Sequence, residues 1–334
     1  MASVTLYDVA RLSGVSIATV SKYLNGVRVK PENEERIKAA IEDCGYNVNF
    51  FAKSLKLKRS MTIGVLIPNL ASSFYSAVIS EVEKIFAKKG YTLLVSGYDN
   101  DAKQENAKFQ SLISRRVDAI LVAPENLSEA SLETAKNSEI PVLFFDTRLK
   151  NSDVGAVVTN NFESCREVLE TLLNRGFQRI AVLVPSMEYS TTKDRLKGCK
   201  AAIEACDAEK KVKFLQTSGD TVNAYKKAGE LLATESRPDA IFALSSSTFL
   251  GSLMAIGEAG LKIPENVAFI GYDNRQISKI YSPNISLVYQ PISEIAEKIC
   301  ERLEAYFSGS ESETVSVVNS KIVYTESVDK SNRL

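Results

Sequence analysis

Thr5-Leu6-Tyr7-Asp8-Val9-Ala10-Arg11-Leu12-Ser13-Gly14-Val15-Ser16-Ile17-Ala18-Thr19-Val20-Ser21-Lys22 packs two helix starts and one tight turn into a short run. Thr5 followed three residues later by Asp8 has the form of a capping box, and the Asp8 carboxylate suits the positive end of a helix. A helix is therefore expected from Leu6, with Leu6, Val9, Ala10 and Leu12 on its apolar face. Ser13-Gly14 ends it, because glycine enters the left-handed backbone region without steric cost. Ser16 then caps a second helix with Val20 and Leu24 turned inward, and a small residue such as Ala10 suits a close crossing of two helices.

Ala10, Gly14 and Val20 have the spacing of a DNA-binding helix-turn-helix, although an ordinary helical hairpin in a core has the same ingredients. The second helix should present Ile17, Ala18, Ser21 and Lys22 outward, a face short enough to lie in a major groove. Lys22 suits a guanine edge or a phosphate, and Ile17 and Ala18 suit thymine methyls. Ser16, Thr19, Ser21 and Asn25 are candidate phosphate ligands, and Thr5, at the start of the first helix, joins the candidate DNA contacts. A third helix is expected over Pro31 to Cys44, with Ile37, Ala40, Ile41 and Cys44 on one face and Gly45 closing it.

Downstream, Asn49-Phe50-Phe51-Ala52-Lys53-Ser54-Leu55-Lys56-Leu57-Lys58-Arg59 sets basic residues around Leu55. One reading is a solvated basic linker. The other is a helix that enters the minor groove with Lys53 and Lys56 on the backbone and Leu55 wedged between base steps. Charge follows the same division. The first 60 residues hold ten Lys or Arg against six Asp or Glu, and the remainder 31 against 35, so a net charge of zero conceals a basic head on an acidic body.

Histidine is absent from all 334 residues, which removes His-dependent triads and the commonest general base and metal ligand. The five cysteines form no C-x-x-C pair, so no catalytic residue, metal site or cofactor is expected, and reduced thiols in a cytoplasm are. No leader-like or membrane-spanning apolar segment is visible. Neither phosphate-binding glycine motif, G-x-G-x-x-G or G-x-x-x-x-G-K-[ST], occurs, which disfavours a doubly wound sugar-processing enzyme.

Beyond residue 60, strand-like runs alternate with amphipathic helices in two series. The first is Thr62 to Ile67, Thr92 to Ser96, Ala119 to Ala123, Val142 to Phe145 and Ala156 to Val158. The second is Ile180 to Val184, Lys213 to Gln216, Ala240 to Leu244 and Val267 to Gly271. Such alternation predicts an α/β body of two doubly wound parallel-sheet lobes. The expected division is a head over residues 1–48, a hinge over 49–60 and a two-lobed body over 61–334, with lobe 1 at 61–160 and 292–323 and lobe 2 at 161–290 and 324–334. Ligands in doubly wound folds bind beyond the carboxyl ends of strands. Phe74 and Tyr75, after the first strand, are therefore cleft candidates or core aromatics, and Asp146 and Arg148, after the fourth, are ligand contacts or a structural ion pair.

Val4-Thr5-Leu6-Tyr7-Asp8-Val9-Ala10-Arg11, Gly14-Val15-Ser16, Thr19-Val20-Ser21 and Leu24-Asn25-Gly26 resemble the signature of the LacI/GalR family of bacterial repressors. The likeness continues through Gly45-Tyr46 and Ala52-Lys53-Ser54-Leu55 into the body, to about residue 325. It implies a body resembling periplasmic sugar-binding proteins, crossed by the chain near residues 160, 290 and 323. It also implies a cytoplasmic homodimeric repressor on a palindromic operator, with Leu55 as the central wedge. The effector would be a sugar, sugar acid or sugar phosphate, with a partner protein as co-repressor the alternative. Asn161, Arg195, Asp273 and Gln290 match the family's effector positions, and Asp146 with Arg148 is similar to its Asp-Arg pair. After Ala240-Ile241-Phe242-Ala243, where the family usually has Asn-Asp, this chain has Ser245-Ser246. Ser246 is taken into the candidate site there, with a shorter hydrogen-bonding reach.

Overall fold

The computed structural model describes residues 4–24, 27–46, 59–150, 152–209, 211–310 and 314–329 of the 334. The chain divides into two compact units, Met1–Ser60 and Met61–Leu334. In the first, α1 (Leu6–Ser13), α2 (Ile17–Leu24) and α3 (Pro31–Cys44) surround a core of Val9, Ala10, Val20, Ile37 and Ala40. The start of α1 is fixed by Asp8, which accepts from the Thr5 backbone N–H at 3.0 Å and from the Thr5 hydroxyl at 2.7 Å. Gly14 ends it at φ 62°, where the right-handed helix cannot continue. Full burial of Val9, Val20 and Ile37 stabilises so small a unit by about 1.5–3 kcal/mol each. Leu12, expected on the inner face of α1, instead stands 49% exposed, because Val9, Ala10 and Ser13 already complete that face.

The second unit contains two six-stranded sheets. In the first, the order is β2 (Thr92–Gly97), β1 (Thr62–Ile67), β3 (Ala119–Val122), β4 (Val142–Asp146), β5 (Ala156–Thr159) and β11 (Val315–Val318), all parallel. In the second it is β7 (Val212–Gln216), β6 (Ile180–Val184), β8 (Ala240–Ala243), β9 (Ala268–Tyr272), β10 (Ser286–Tyr289) and β12 (Lys321–Val323), parallel except for the antiparallel β10–β12 pair. Central strands such as Ala119–Val122 and Ile180–Val184 are buried at every position, as strands covered on both faces must be. Each sheet carries one apolar core per face. In lobe 1, Val78, Val82 and Phe86 of helix Ser73–Ala87 share a core with Ile295 and Ile299 of helix Ile292–Ser308, while Phe109 and Leu112 cover the opposite face.

Three short crossings join the lobes, and they are tied to one another. Thr159 donates to Gln290 Oε1 at 3.2 Å, and the Ser320 N–H donates to Asn160 Oδ1 at 2.7 Å. The third crossing lies at residues 319–320, not near 323, because Lys321–Val323 pairs with Ser286–Tyr289 in the second sheet. β10, β11 and β12, each three or four residues long, were not legible as strands.

In lobe 2, helices Asn161–Asn174 and Ser190–Cys206 meet at Gly198, where an added Cβ would lie 2.1 Å from the Phe162 carbonyl oxygen. That contact is backbone and cannot rotate away. Gly198→Ala is expected to destabilise lobe 2 by about 1–3 kcal/mol, read as a fall in unfolding midpoint; an unchanged midpoint would refute this close approach.

Candidate functional site

On the head, Ser16, Ile17, Ala18 and Lys22 are exposed along one face of α2, while Val20 is fully buried on the other. Ser16 caps the helix, accepting from the Thr19 N–H at 3.2 Å, and its hydroxyl lies 2.9 Å from that of Thr19. Thr19 and Ser21 are half-buried, so their hydroxyls are less open than the sequence pattern suggests. Thr5 is exposed but engaged by Asp8. Asn25, Lys53, Leu55 and Lys56 lie outside the described residues. Tyr7, which the pattern did not single out, is 70% exposed on α1. A large aromatic left out of so small a core was a signal available in the sequence.

Between the lobes lies a cleft of about 520 Å³, at the carboxyl ends of both sheets. Phe74, Tyr75, Asp146, Arg195, Ser246, Asp273 and Gln290 all line it. Arg195 is its fixed point. The side chain is 7% exposed, its Nε donates to Asn161 Oδ1 at 2.7 Å and its Nη1 to the Leu244 carbonyl at 2.7 Å. The guanidinium carbon sits 3.9 Å from the centroid of the Tyr272 ring, a cation–π contact that supports the charge where water is scarce.

Two buried carboxylates feel the Arg195 charge. Burial pushes Asp146 up from the ordinary carboxylate range; the Tyr75 hydroxyl, donating at 2.7 Å, and the Arg195 charge pull it back. Asp273 is likewise raised by burial and lowered first by Arg195, then by the Gln290 N–H at 3.3 Å and Gln290 Nε2 at 3.2 Å. Tyr75 is held as a neutral phenol by burial and by Asp146, so it stays a donor. Phe74, half-buried and 5.4 Å from Tyr75 in an edge-on arrangement, supplies an apolar wall.

Two candidates fall elsewhere. Asn161 is 5% exposed and absent from the cleft wall; its carbonyl is occupied in orienting Arg195. Arg148 forms neither the expected cleft contact nor an ion pair with Asp146 among the described residues. Asp146 adopts φ 65°, which turns the chain sharply, so that Thr147 is buried with its hydroxyl on the Pro124 carbonyl and Arg148 emerges exposed on another wall. Conversely, Tyr189, Thr191, Thr192, Asp220 and Thr221 line the cleft although they were not singled out. All five follow β6 or β7, so the rule that residues after strands face the ligand would have found them.

Lobe 1 also touches lobe 2 directly. The Ser190 N–H, at the first turn of helix Ser190–Cys206, donates to the Glu125 carboxylate at 3.1 Å, and Asn100 Nδ2 donates to the Tyr189 hydroxyl at 2.7 Å. Burial, reinforced by Asp146 and Glu105, pushes the Glu125 carboxyl up to about 7 despite the Ser190 N–H and the Lys193 charge.

The description "Bacterial regulatory proteins, lacI family" matches residues 5–49, and "Periplasmic binding protein domain" matches residues 63–311. The chain belongs to the LacI family. It is a DNA-binding transcription regulator with an effector-binding body. It is 29% identical to catabolite control protein A of Staphylococcus xylosus over 317 residues, covering 95% of this chain and 96% of the relative. It is 30% identical to the HTH-type transcriptional repressor PurR of Vibrio atlanticus over 302 residues, 90% of each chain. Among solved structures, a Lac repressor dimer bound to operator and the anti-inducer ONPF superposes with a TM-score of 0.86 at 22% identity, over 98% of this chain and 99% of that one. A LacI family regulator from Enterococcus faecium with bound ribose superposes at 0.71 and 25% identity, over 79% and 97%.

Glu125 gives the contact between lobes a pH signature. A carboxyl with an ordinary value of 4.5 that is raised to about 7 in the folded state keeps a proton that the unfolded chain releases, so stability falls as pH rises across that interval. Glu125→Gln, which still accepts from Ser190, should gain stability relative to wild type as pH is raised from 5 to 8, by about 1–3 kcal/mol. Thermal unfolding at both pH values measures it, and a pH-independent difference would contradict the assignment.

Proposed function

We propose that this regulator is a homodimeric repressor whose cleft binds an uncharged, polyhydroxylated small molecule of the sugar class, and that binding alters operator affinity. The arrangement of Arg195 between Asp146 and Asp273 carries this reading. Carboxylates accept from sugar hydroxyls, the guanidinium donates to hydroxyl oxygens, and Phe74 offers a ring face a surface to pack on. An anionic effector would have to approach Asp146, Asp273 and Asp220 together. A neutral sugar avoids that repulsion, so sugar acids and sugar phosphates are the less favoured members of the class. The Enterococcus faecium relative with ribose, at 25% identity, supports the same class.

The proposed organisation is a DNA-reading head over 1–48, a hinge over 49–60, and lobes of 61–159 with 292–319 and of 161–290 with 320–334. In the head, Ile17, Ala18 and Lys22 read the major groove, with Thr5, Ser16, Thr19, Ser21 and Asn25 on phosphates; Leu55, flanked by Lys53 and Lys56, is the minor-groove wedge. Operator DNA places the protein in the cytoplasm. The cleft acts as a binder and not a catalyst, since its acids are engaged by Tyr75 and Gln290 and the chain offers no histidine base.

Operator binding should weaken steeply with added salt, with a smaller slope for Lys22→Ala, because each neutralised phosphate releases counterions. Fluorescence anisotropy on operator DNA measures this, and a flat salt dependence would refute the phosphate contacts. Arg195→Ala and Asp273→Asn should keep operator binding while losing about 10- to 100-fold in sugar affinity, the scale of a charged hydrogen bond removed from a buried site. Calorimetric titration with a panel of pentoses and hexoses tests it; variants that respond like wild type would remove these residues from the site.

A further inference from the structure

Helices Asn161–Asn174 and Ser190–Cys206 bring two thiols together. Cys165 and Cys199 are both fully buried in one apolar core of lobe 2, and they are hydrogen-bonded to each other. Gly198 makes this possible. An added Cβ there would lie 2.1 Å from the Phe162 carbonyl oxygen and 3.1 Å from the Arg166 backbone nitrogen, so the helices meet at the turn that carries Cys165, one residue from Cys199. A disulfide needs Cα atoms about 4.4–6.8 Å apart, a separation suited to helices that touch through their backbones.

The surroundings of the two sulfurs differ. Cys165 Sγ lies 3.6 Å from the Tyr272 hydroxyl, and the ring of that tyrosine carries the Arg195 guanidinium. Burial pushes the Cys165 thiol up, but the hydrogen bond with Cys199, the Arg195 charge and the Tyr272 hydroxyl together bring it below the usual thiol range. Burial and the neighbouring Cys165 push Cys199 well up. Cys165 is therefore the nucleophile of the pair, since the thiolate and not the thiol attacks. Cys300, buried in lobe 1, is pushed up to about 12 by burial and by Glu304.

We propose that Cys165 and Cys199 form a peroxide-reactive dithiol, in which Cys165 attacks the oxidant and Cys199 completes a disulfide across the two helices behind the cleft. The Cys165 thiolate attacks one oxygen of hydrogen peroxide; an S–O bond forms, the O–O bond breaks and hydroxide leaves, taking a proton to become water. Cys199, losing its proton, then attacks the sulfur of the resulting sulfenic acid; the S–S bond forms, the S–O bond breaks and a second water leaves. Two thiols are oxidised and one peroxide is reduced. Burial selects the oxidant by size. Arg195 lines the cleft and Tyr272 stands behind it, so a molecule little larger than water has two side chains to pass, whereas a bulky disulfide such as oxidised glutathione is kept out. Closing the bond turns Cys165 Sγ from the Tyr272 hydroxyl toward Cys199, so oxidation changes the hydrogen bonding of the ring that supports Arg195.

The test treats the reduced, full-length protein with an equimolar amount of hydrogen peroxide and maps its peptides by mass spectrometry without reductant. Two of the five thiols should be lost, with the peptides of Cys165 and Cys199 joined and Cys300 still free. Cys199→Ser should stop at a sulfenic acid on Cys165, which dimedone captures, and Cys165→Ser should leave Cys199 a thiol. Oxidised glutathione should leave the pair reduced. A pair that reacts only after denaturation, or a linkage through Cys44 or Cys206 in its place, overturns the dithiol. Dimedone capture at Cys199 overturns the assignment of roles, and a disulfide formed as readily with oxidised glutathione overturns the selection of the oxidant.

Discussion

A buried guanidinium has to be surrounded before it can be useful, and Arg195 shows how much of lobe 2 is committed to that. Its partners come from three elements: Asn161 at the start of one helix, the Leu244 carbonyl just past β8, and the Tyr272 ring at the end of β9. Each lies at the carboxyl end of the sheet, so a cation placed there is solvated by the protein before any ligand arrives. Removing one partner would leave a buried charge short of compensation, which is more costly than losing an exposed contact. The same charge moderates Asp146 and Asp273, the first from lobe 1 and the second from lobe 2. One side chain therefore acts on the acids of both walls.

Arg195 also stands close to the machinery that sets the angle between the lobes. Gln290 holds Asp273 with its amide nitrogen and receives Thr159 on its oxygen, so a cleft residue and two crossings meet on one side chain. On the other flank, Glu125 and Asn100 grip the first turn of the helix that carries Arg195. A ligand that pulls on Asp273 or Arg195 thus acts on groups hydrogen-bonded to the crossings and to the opposite lobe. This is a physical route from occupancy to lobe angle, and it needs only a two-state arrangement of those hydrogen bonds.

Much of this was legible in the sequence because it is written in local patterns. The Thr5 to Asp8 cap, Gly14 and the buried face of Val9, Ala10 and Val20 depend on residues within a few positions of one another, and the long strands announce themselves by continuous apolar runs. What was not legible depends on partners distant in sequence. Val315–Val318 and Lys321–Val323 are too short to read as strands until β5 and β10 stand beside them, which is why the last crossing was placed a few residues late. Arg148 was misplaced for a subtler reason. Its pattern, an acid and a base two residues apart after a strand, contains no information about the left-handed turn at Asp146 that separates them.

The serines after β8 show why a departure from a family's usual residues does not empty a site. Ser245 spends its hydroxyl and its N–H on Thr248, a reciprocal cap that starts helix Ser246–Glu258. Ser246 is bound by Asn274, whose Nδ2 donates to the Ser246 carbonyl at 2.9 Å and whose Oδ1 accepts from its hydroxyl at 3.3 Å. Asn274 follows Asp273 directly, and both adopt positive φ, so the loop that presents Asp273 is pinned to the loop that presents Ser246. A longer amide or a carboxylate at 245 or 246 would have reached further toward a ligand. Serine keeps the two loops joined and leaves Asp273, Arg195 and Asp146 as the groups with chemistry to offer. Recognition in this chain therefore moves from the start of that helix toward the Asp146 wall.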